Sequence, residues 1–202
     1  MELKRVTEVR RSIRRFKPDP LNAELILELL EAARLAPSGT NLQPWRFLAV
    51  TSPLMREKLA ACTYHMSFVG QAPLTMVCCA DFSSLGDRGR RIRELAAAGV
   101  FDGLDVDKIT QTGYRQPNRN DAADLAYLNM NVAIAVEHMI LRGTELGLGS
   151  CWVMMFSKKK VMELLELPET LHVLALVPFG YPDQSPAARP RLPLDAIFLG
   201  EV

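Results

Sequence analysis

The chain has 202 residues, 49% of them hydrophobic, so it can bury one sizeable core and a single domain is expected. Its 24 Lys and Arg against 23 Asp and Glu leave a formal net charge of +1, which excludes a global field driving it onto nucleic acid or a membrane surface. Cys62, Cys78, Cys79 and Cys151 make neither a CxxC pair nor a spaced disulfide framework, and His65, His138 and His172 lack metal-ligand spacing. Buried thiols in a reducing cytoplasm, no metal, and no secretory leader on the charged N-terminus are therefore expected.

Residues 2–10 carry a weak helical pattern through Leu3, Val6 and Val9 and deliver Arg10, Arg11, Ser12, Ile13, Arg14, Arg15 and Phe16. Ile13 and Phe16 can hold the backbone down while guanidinium groups and the Ser12 hydroxyl converge, an arrangement suited to a phosphate. Read alone, the run is equally a solvated basic stretch or a nucleic-acid arm. Pro18 and Pro20 break the chain, Asn22 caps an amphipathic helix over 23–36, and residues 36–45 form a loop dense in turn formers. With Ser38, Asn41 and Gln43 held between Pro37 and Pro44, that loop is either a well-made turn or a polar binding loop.

Strands are expected at 46–51 and 72–81, separated by a short helix that starts with Pro53 and ends near Ala61. Cys78 and Cys79 then point to opposite faces of the second strand, which argues against a mutual disulfide. From 82 to 121 periodicity fades, apart from a basic helix-like piece at 88–98, and the stretch reads as a lid or insertion with Phe101 and Tyr114 as aromatic candidates to cover a pocket. Plain packing of both aromatics is the alternative.

The stretch from Asp124 to Gly147 is the organising element. Twelve uncharged residues, 125–136, place apolar side chains all round a helical wheel, the pattern of a helix buried in a core or a subunit interface. The run is too short to span a membrane. It turns through Gly147 and Gly149 into a predicted strand at 150–155. Ser157 caps a further helix over 158–167, 172–180 reads as a central strand, and the proline-rich tail from about 182 must be extended, with Arg189 and Arg191 on one side and a possible edge strand at 196–199. The Gly147-x-Gly149 turn follows a helix and precedes a strand, the reverse of a dinucleotide fingerprint, and no P-loop, GxSxG or HExxH motif is present.

The 10–16 run, the 36–45 loop, the Gly-rich turn with its following segment, and the Arg189 and Arg191 tail, in this order and spacing, resemble the nitroreductase family of flavin enzymes. The resemblance runs from Val6 to about Leu194 and leaves out only 82–121. It implies an α+β fold: a three-layer α/β/α sandwich with a mostly antiparallel sheet and a long central helix at a homodimer interface. It implies FMN in interfacial sites. Arg10, Arg11, Ser12, Arg14, Arg189 and Arg191 would take its phosphate and ribityl chain, and Pro37, Ser38, Gly39 and Asn41 would reach the flavin of the other subunit. Trp152, Val153, Met154 and Met155 would pass the ring edge and offer backbone N–H groups. Some relatives carry Glu-Gly where this chain has Met154 and Met155, so that polar side-chain contact is lost here. His65 takes the place of a polar flavin contact, with a surface histidine as the alternative.

The implied activity is hydride transfer from NADH or NADPH through FMN to a small flat acceptor, nitroaromatic or quinone-like, by a ping-pong cycle. No side-chain acid or base is needed, because a flavin carries the redox chemistry. Alternatives within the fold are reductive dehalogenation, ene reduction, or a non-catalytic flavin-binding sensor or store. A nucleic-acid binder would require no flavin and steeply salt-dependent binding.

Overall fold

The computed structural model describes residues 1–101, 103, 105–108 and 122–202. Among them, β1 (Trp45–Val50), β2 (Leu74–Asp81), β3 (Gly149–Ser150) and β4 (Leu171–Gly180) form one sheet in the order β1-β2-β4-β3, every neighbouring pair antiparallel. β2 lies between two partners, and all eight of its residues are buried, with Thr75 and Asp81 the polar ones in an otherwise apolar run.

Helices cover both faces. On one, Leu29 and Ala33 of α2 (Ala23–Arg34) and Leu128, Val132, Ala135, Val136, Met139 and Ile140 of the long helix belong to the same core as Leu74, Met76, Cys78 and Ala80 of β2. On the other, Leu59 of α3 (Pro53–Ala61) and Val69 of α4 (Phe68–Gln71) share a core with Val77 and Cys79. Three layers follow from the period-two alternation of β2. Cys78 and Cys79 thus enter different cores, and all four cysteines are free thiols. Burial pushes the Cys79 thiol up to about 12, and the fully enclosed Cys78 is raised as well, so both stay protonated at neutral pH. The sheet accommodates one irregularity beside them: Cys78 pairs with Ala175 and Cys79 with Val173, leaving Leu174 as an extra residue on β4.

The remaining helices are α1 (Leu3–Val9), α5 (Arg88–Ala97), α6 (Ala122–Glu145) and α7 (Lys158–Leu164). Ser157 caps α7 by accepting from the Lys160 N–H, and Asn22 caps α2 by accepting from the Leu25 N–H at 2.8 Å. Asn22→Ala is expected to cost about 1 kcal/mol in a urea unfolding curve, the usual value of such a cap.

Two strand expectations change, and the described residues add detail to two other readings. Helix α6 is not enclosed on every side within one chain: Met130 is 57% exposed, and Ala133 and Ile134 are half-buried. The 150–155 strand is short, because after β3 the ladder contact with β4 is the single bridge of Val153 to Leu176, and Phe156 is drawn away to Thr63. Residues 196–199 form no strand; Leu194–Ala196 is a 3-10 turn, with the Ile197 and Phe198 N–H groups folded back on the Leu194 carbonyl. The described part of 82–121 is regular, a 3-10 turn at Phe82–Asp87 running into α5, with Leu85 and Ile92 buried. Phe101 is half-buried, while Tyr114 and the rest of the expected lid at 109–121 lie outside the described residues. No described helix is long and apolar enough to cross a membrane.

Candidate active site

Helix α1 stops at Arg10, whose extended backbone (ψ 129) sends the chain along β3. Ser12 pairs in parallel with Ser150, and the Ile13 N–H donates to the Ser150 carbonyl at 2.8 Å. This approach needs a glycine: a Cβ on Gly149 would sit 2.6 Å from Cγ1 of the buried Ile13. Farther along, the Lys17 N–H donates to the Tyr181 carbonyl and the Asp183 N–H to the Arg15 carbonyl, both at 2.9 Å, while Arg15 and Asp183 pair at 3.2 Å. The N-terminal run is thereby sewn between β3 and the head of the C-terminal tail.

The consequence is a cleft of about 410 Å³ lined by Arg10, Arg11, Ser12, Arg14, Gln184, Pro186, Ala187, Arg189 and Arg191. Six of these nine are the residues singled out in the sequence for phosphate. Five arginines line one cavity, no carboxylate-bearing residue lines it, and none of the five forms an ion pair with a carboxylate among the described residues. Like charges gathered without an internal counter-ion repel one another and bind an anion instead. Paired N–H donors on guanidinium match phosphate oxygens, and the Ser12 hydroxyl adds another donor.

Two neighbours of this cleft were not legible as such in the sequence. Gln184 joins it only because the tail runs back along Arg15. Cys151, which follows β3, lies against Ser12 and Arg14: burial raises its thiol, and Arg14, Ser12 and Arg10 pull in the opposite direction. A small buried thiol there floors the arginine cluster without adding a negative charge.

The residues expected near a flavin ring lie elsewhere on the chain. Trp152 is half-buried, with its indole N–H donating to Glu137 at 3.2 Å. Val153 is buried in the second core, whereas Met154 and Met155 are 62% and 60% exposed. Among the described residues, the N–H groups of Met154 and Met155 donate to no backbone carbonyl, because the chain has left the β4 ladder there. The Tyr64 N–H reaches the Met155 carbonyl at 3.4 Å, which brings the 62–67 turn alongside. His65 sits in that turn with a left-handed backbone (φ +62) and lines an open cleft with Thr63, Met66 and Ser67. It does not line the arginine cleft.

Nor do Pro37, Ser38, Gly39 and Asn41 within one chain. Their loop is wound tightly. Thr40, Asn41 and Gln43 all have φ of +51, a region that a β-branched threonine rarely adopts. The Ser38 hydroxyl accepts from the Gln43 N–H, and the Asn41 side chain accepts from the Gln43 amide, both at 2.9 Å. Two residues of α6 hold the loop from below: the Gly39 N–H donates to Asn131 Oδ1 at 2.7 Å, and the Tyr127 hydroxyl donates to the Gly39 carbonyl at 2.8 Å. Sequence reasoning missed both. The available signal was Asn131 itself, an amide in the middle of an uncharged helix, where a buried polar side chain must find partners.

Comparison with known proteins supplies an independent view. The family model described as "Nitroreductase family" matches residues 7–181. A Thermus thermophilus protein named "NADH dehydrogenase" is 32% identical over 201 residues, covering 94% of this chain and 91% of the relative. The nitroreductase family protein of Streptococcus pneumoniae TIGR4 superposes with a TM-score of 0.78 at 27% identity, covering 98% of both chains. A protein of Exiguobacterium sibiricum 255-15, solved in complex with FMN, superposes with a TM-score of 0.82 at 20% identity, over 98% of this chain and 96% of that one.

Proposed function

Because this chain belongs to the nitroreductase family, we propose that it is an FMN-dependent oxidoreductase that takes hydride from NADH or NADPH and reduces a small flat acceptor of the nitroaromatic or quinone class. The observation that carries this reading is the cleft of five arginines with no internal counter-ion, whose donor set fits a phosphate monoester. Arg10, Arg11, Ser12, Arg14, Arg189 and Arg191 would hold the phosphate and the adjoining ribityl hydroxyls. When bound, FMN supplies the two-electron chemistry, and the protein supplies binding, orientation and electrostatics.

The chain's own groups suit the rest of that role. The N–H groups of Met154 and Met155 are available as donors toward the ring edge, where fixed dipoles favour developing negative charge. Trp152 and Val153 anchor that segment, one to Glu137 and the other to β4. His65, beside it, is a candidate polar contact on the same side. With two flat ligands using one open face in turn, the kinetics would be ping-pong.

A second copy of the chain completes the proposal. Met130 on α6 and Leu192, Leu194, Ile197, Phe198 and Leu199 on the tail are apolar and largely open within one chain, with half-buried Ala133 and Ile134 beside Met130. An apolar surface of this kind is what a permanent homodimer covers. In such a dimer, Pro37, Ser38, Gly39 and Asn41 would face the partner's flavin, which accounts for their distance from the arginine cleft of their own chain. Residues 1–202 would act as one FMN-binding domain in the reducing cytoplasm, where its four thiols persist.

The test is the visible absorption spectrum of the purified protein, before and after anaerobic addition of NADH and then NADPH. A flavin spectrum that bleaches is the expected result and identifies the donor. Bound flavin that neither donor reduces would replace the enzyme by a flavin-binding protein without turnover. A colourless protein that takes up no added FMN would overturn the reading.

A further inference from the structure

The 37–41 loop poses a physical problem that the flavin reading leaves open: what keeps Thr40 and Asn41 in left-handed backbone conformations at the surface. Such conformations persist only where the surroundings over-determine them. The Ser38 and Asn41 bonds to Gln43 are internal to the loop and would move with it.

The external hold comes from one peptide. Gly39 is gripped on both sides, its N–H by Asn131 and its carbonyl by Tyr127. Asn131 is only 1% exposed, and its own amide donates to the Tyr127 backbone carbonyl at 2.7 Å, so its side chain is fixed against α6 one helical turn back, at the residue that carries the other half of the grip. The fit leaves no slack: a Cβ on Gly39 would meet the Tyr127 hydroxyl at 2.4 Å. Tyr127 is in turn covered by the first residue of α5. The Arg88 guanidinium carbon lies 4.5 Å from the ring centroid, and Arg88 pairs with the buried Asp124 at 3.8 Å. Helix α5 itself packs on the 39–41 turn. A continuous set of contacts therefore runs from the start of α5, through Arg88 and Tyr127, to the Gly39 peptide.

We propose that Tyr127 and Asn131 are positioning residues that preset the 37–41 loop, and that Arg88 ties this clamp to helix α5. For its functional consequence this rests on the flavin reading above; the clamp itself does not. None of the three residues touches the arginine cleft or belongs to the set expected to contact cofactor. Their effect is on where the loop stands when the ligand arrives, so a rigid loop gives tighter binding by lowering the ordering cost.

The experiment uses Tyr127→Phe, which keeps the ring under Arg88 and removes only the hydroxyl, together with Asn131→Ala and Arg88→Met. Two readouts are taken on the full chain. Amide hydrogen exchange over residues 38–43 of the apo protein reads the clamp alone, and Tyr127→Phe is expected to exchange about fivefold faster, the equivalent of one lost neutral hydrogen bond. FMN affinity by fluorescence quenching, the visible circular dichroism of the bound flavin and the KM–kcat split read the consequence. Affinity is expected to fall about fivefold and the dichroism to change, with KM for the acceptor moving more than kcat. Asn131→Ala leaves the Gly39 N–H without its acceptor and, if it fails to fold, Tyr127→Phe still decides. Loop exchange in Tyr127→Phe equal to wild type would overturn the clamp. Faster exchange with unchanged FMN affinity, dichroism and KM would overturn its part in the flavin site. A wild-type chain that takes up no FMN would remove the flavin reading and that functional part with it, while the exchange result would still stand or fall separately.

Discussion

Replacing Arg11 or Arg191 by alanine is expected to weaken FMN retention about 10- to 100-fold, the loss of one charge-assisted contact of roughly 1.5–3 kcal/mol. Neither side chain belongs to a core. Within the chain, the Arg11 guanidinium donates to the Glu8 and Arg10 carbonyls, and that of Arg191 to the Arg189 and Pro190 carbonyls. Water can replace those exposed local bonds, so the thermal midpoint of the apo protein should move little. Arg34, which pairs with Glu31 on the outer face of α2, is the matched control, and Arg34→Ala should leave affinity unchanged. Titration of apo protein with FMN, followed by fluorescence at two salt concentrations, is the measurement. Wild-type affinity in both cleft variants would remove the phosphate clamp.

The second large effect is expected at a position with no side chain. In Gly149→Ala the added methyl would lie 2.6, 2.8 and 2.9 Å from Cγ1, Cβ and Cγ2 of Ile13. These atoms surround the branch point next to the backbone, so a rotamer change cannot move them all away. The 10–16 run must lift from β3, at a cost of about 1–3 kcal/mol for overpacking, and the arginines it carries lose their register against the tail. FMN binding and stability should therefore fall together. Ile13→Ala in the same chain removes the Cγ1 and Cγ2 contacts but keeps Cβ, so the double variant should recover part of both losses, and the shortfall from additivity measures the contact. A Gly149→Ala protein that is as stable as wild type and retains FMN would refute this account.

These expectations mark what the sequence could carry. The Asn22 cap, the buried run of β4 and the opposite orientations of Cys78 and Cys79 are local signals, and the structure has them where the chain places them. The arginines at 10–14 were visible as a dense charge cluster, but their meeting with Arg189 and Arg191 was expected from the family resemblance and not from spacing. What failed was anything set by a distant partner. Residues 150–155 read as strand because their burial pattern is that of a strand, yet Thr63 competes for Phe156 and ends the ladder. The grip of Tyr127 and Asn131 on Gly39 links segments far apart in the chain and leaves no local trace beyond one buried amide. The apolar circumference of α6 was read as burial in a core or a subunit interface, and within one chain Met130 stays open.

The stitching of Ile13 to Ser150, Lys17 to Tyr181 and Asp183 to Arg15 has one more consequence. It places the two ends of the polypeptide on opposite walls of a single anion site, so a ligand held there is a non-covalent staple across almost the entire sequence. A chain that has folded only as far as β3 has Arg10, Arg11, Ser12 and Arg14 but lacks Arg189 and Arg191, and it gains less from the ligand. Affinity therefore appears as global stability, growing as the logarithm of free ligand over its dissociation constant, and not as local stiffening. If FMN binds there as proposed, saturation of the site would report that the 10–14 run and the 189–191 tail have both been seated.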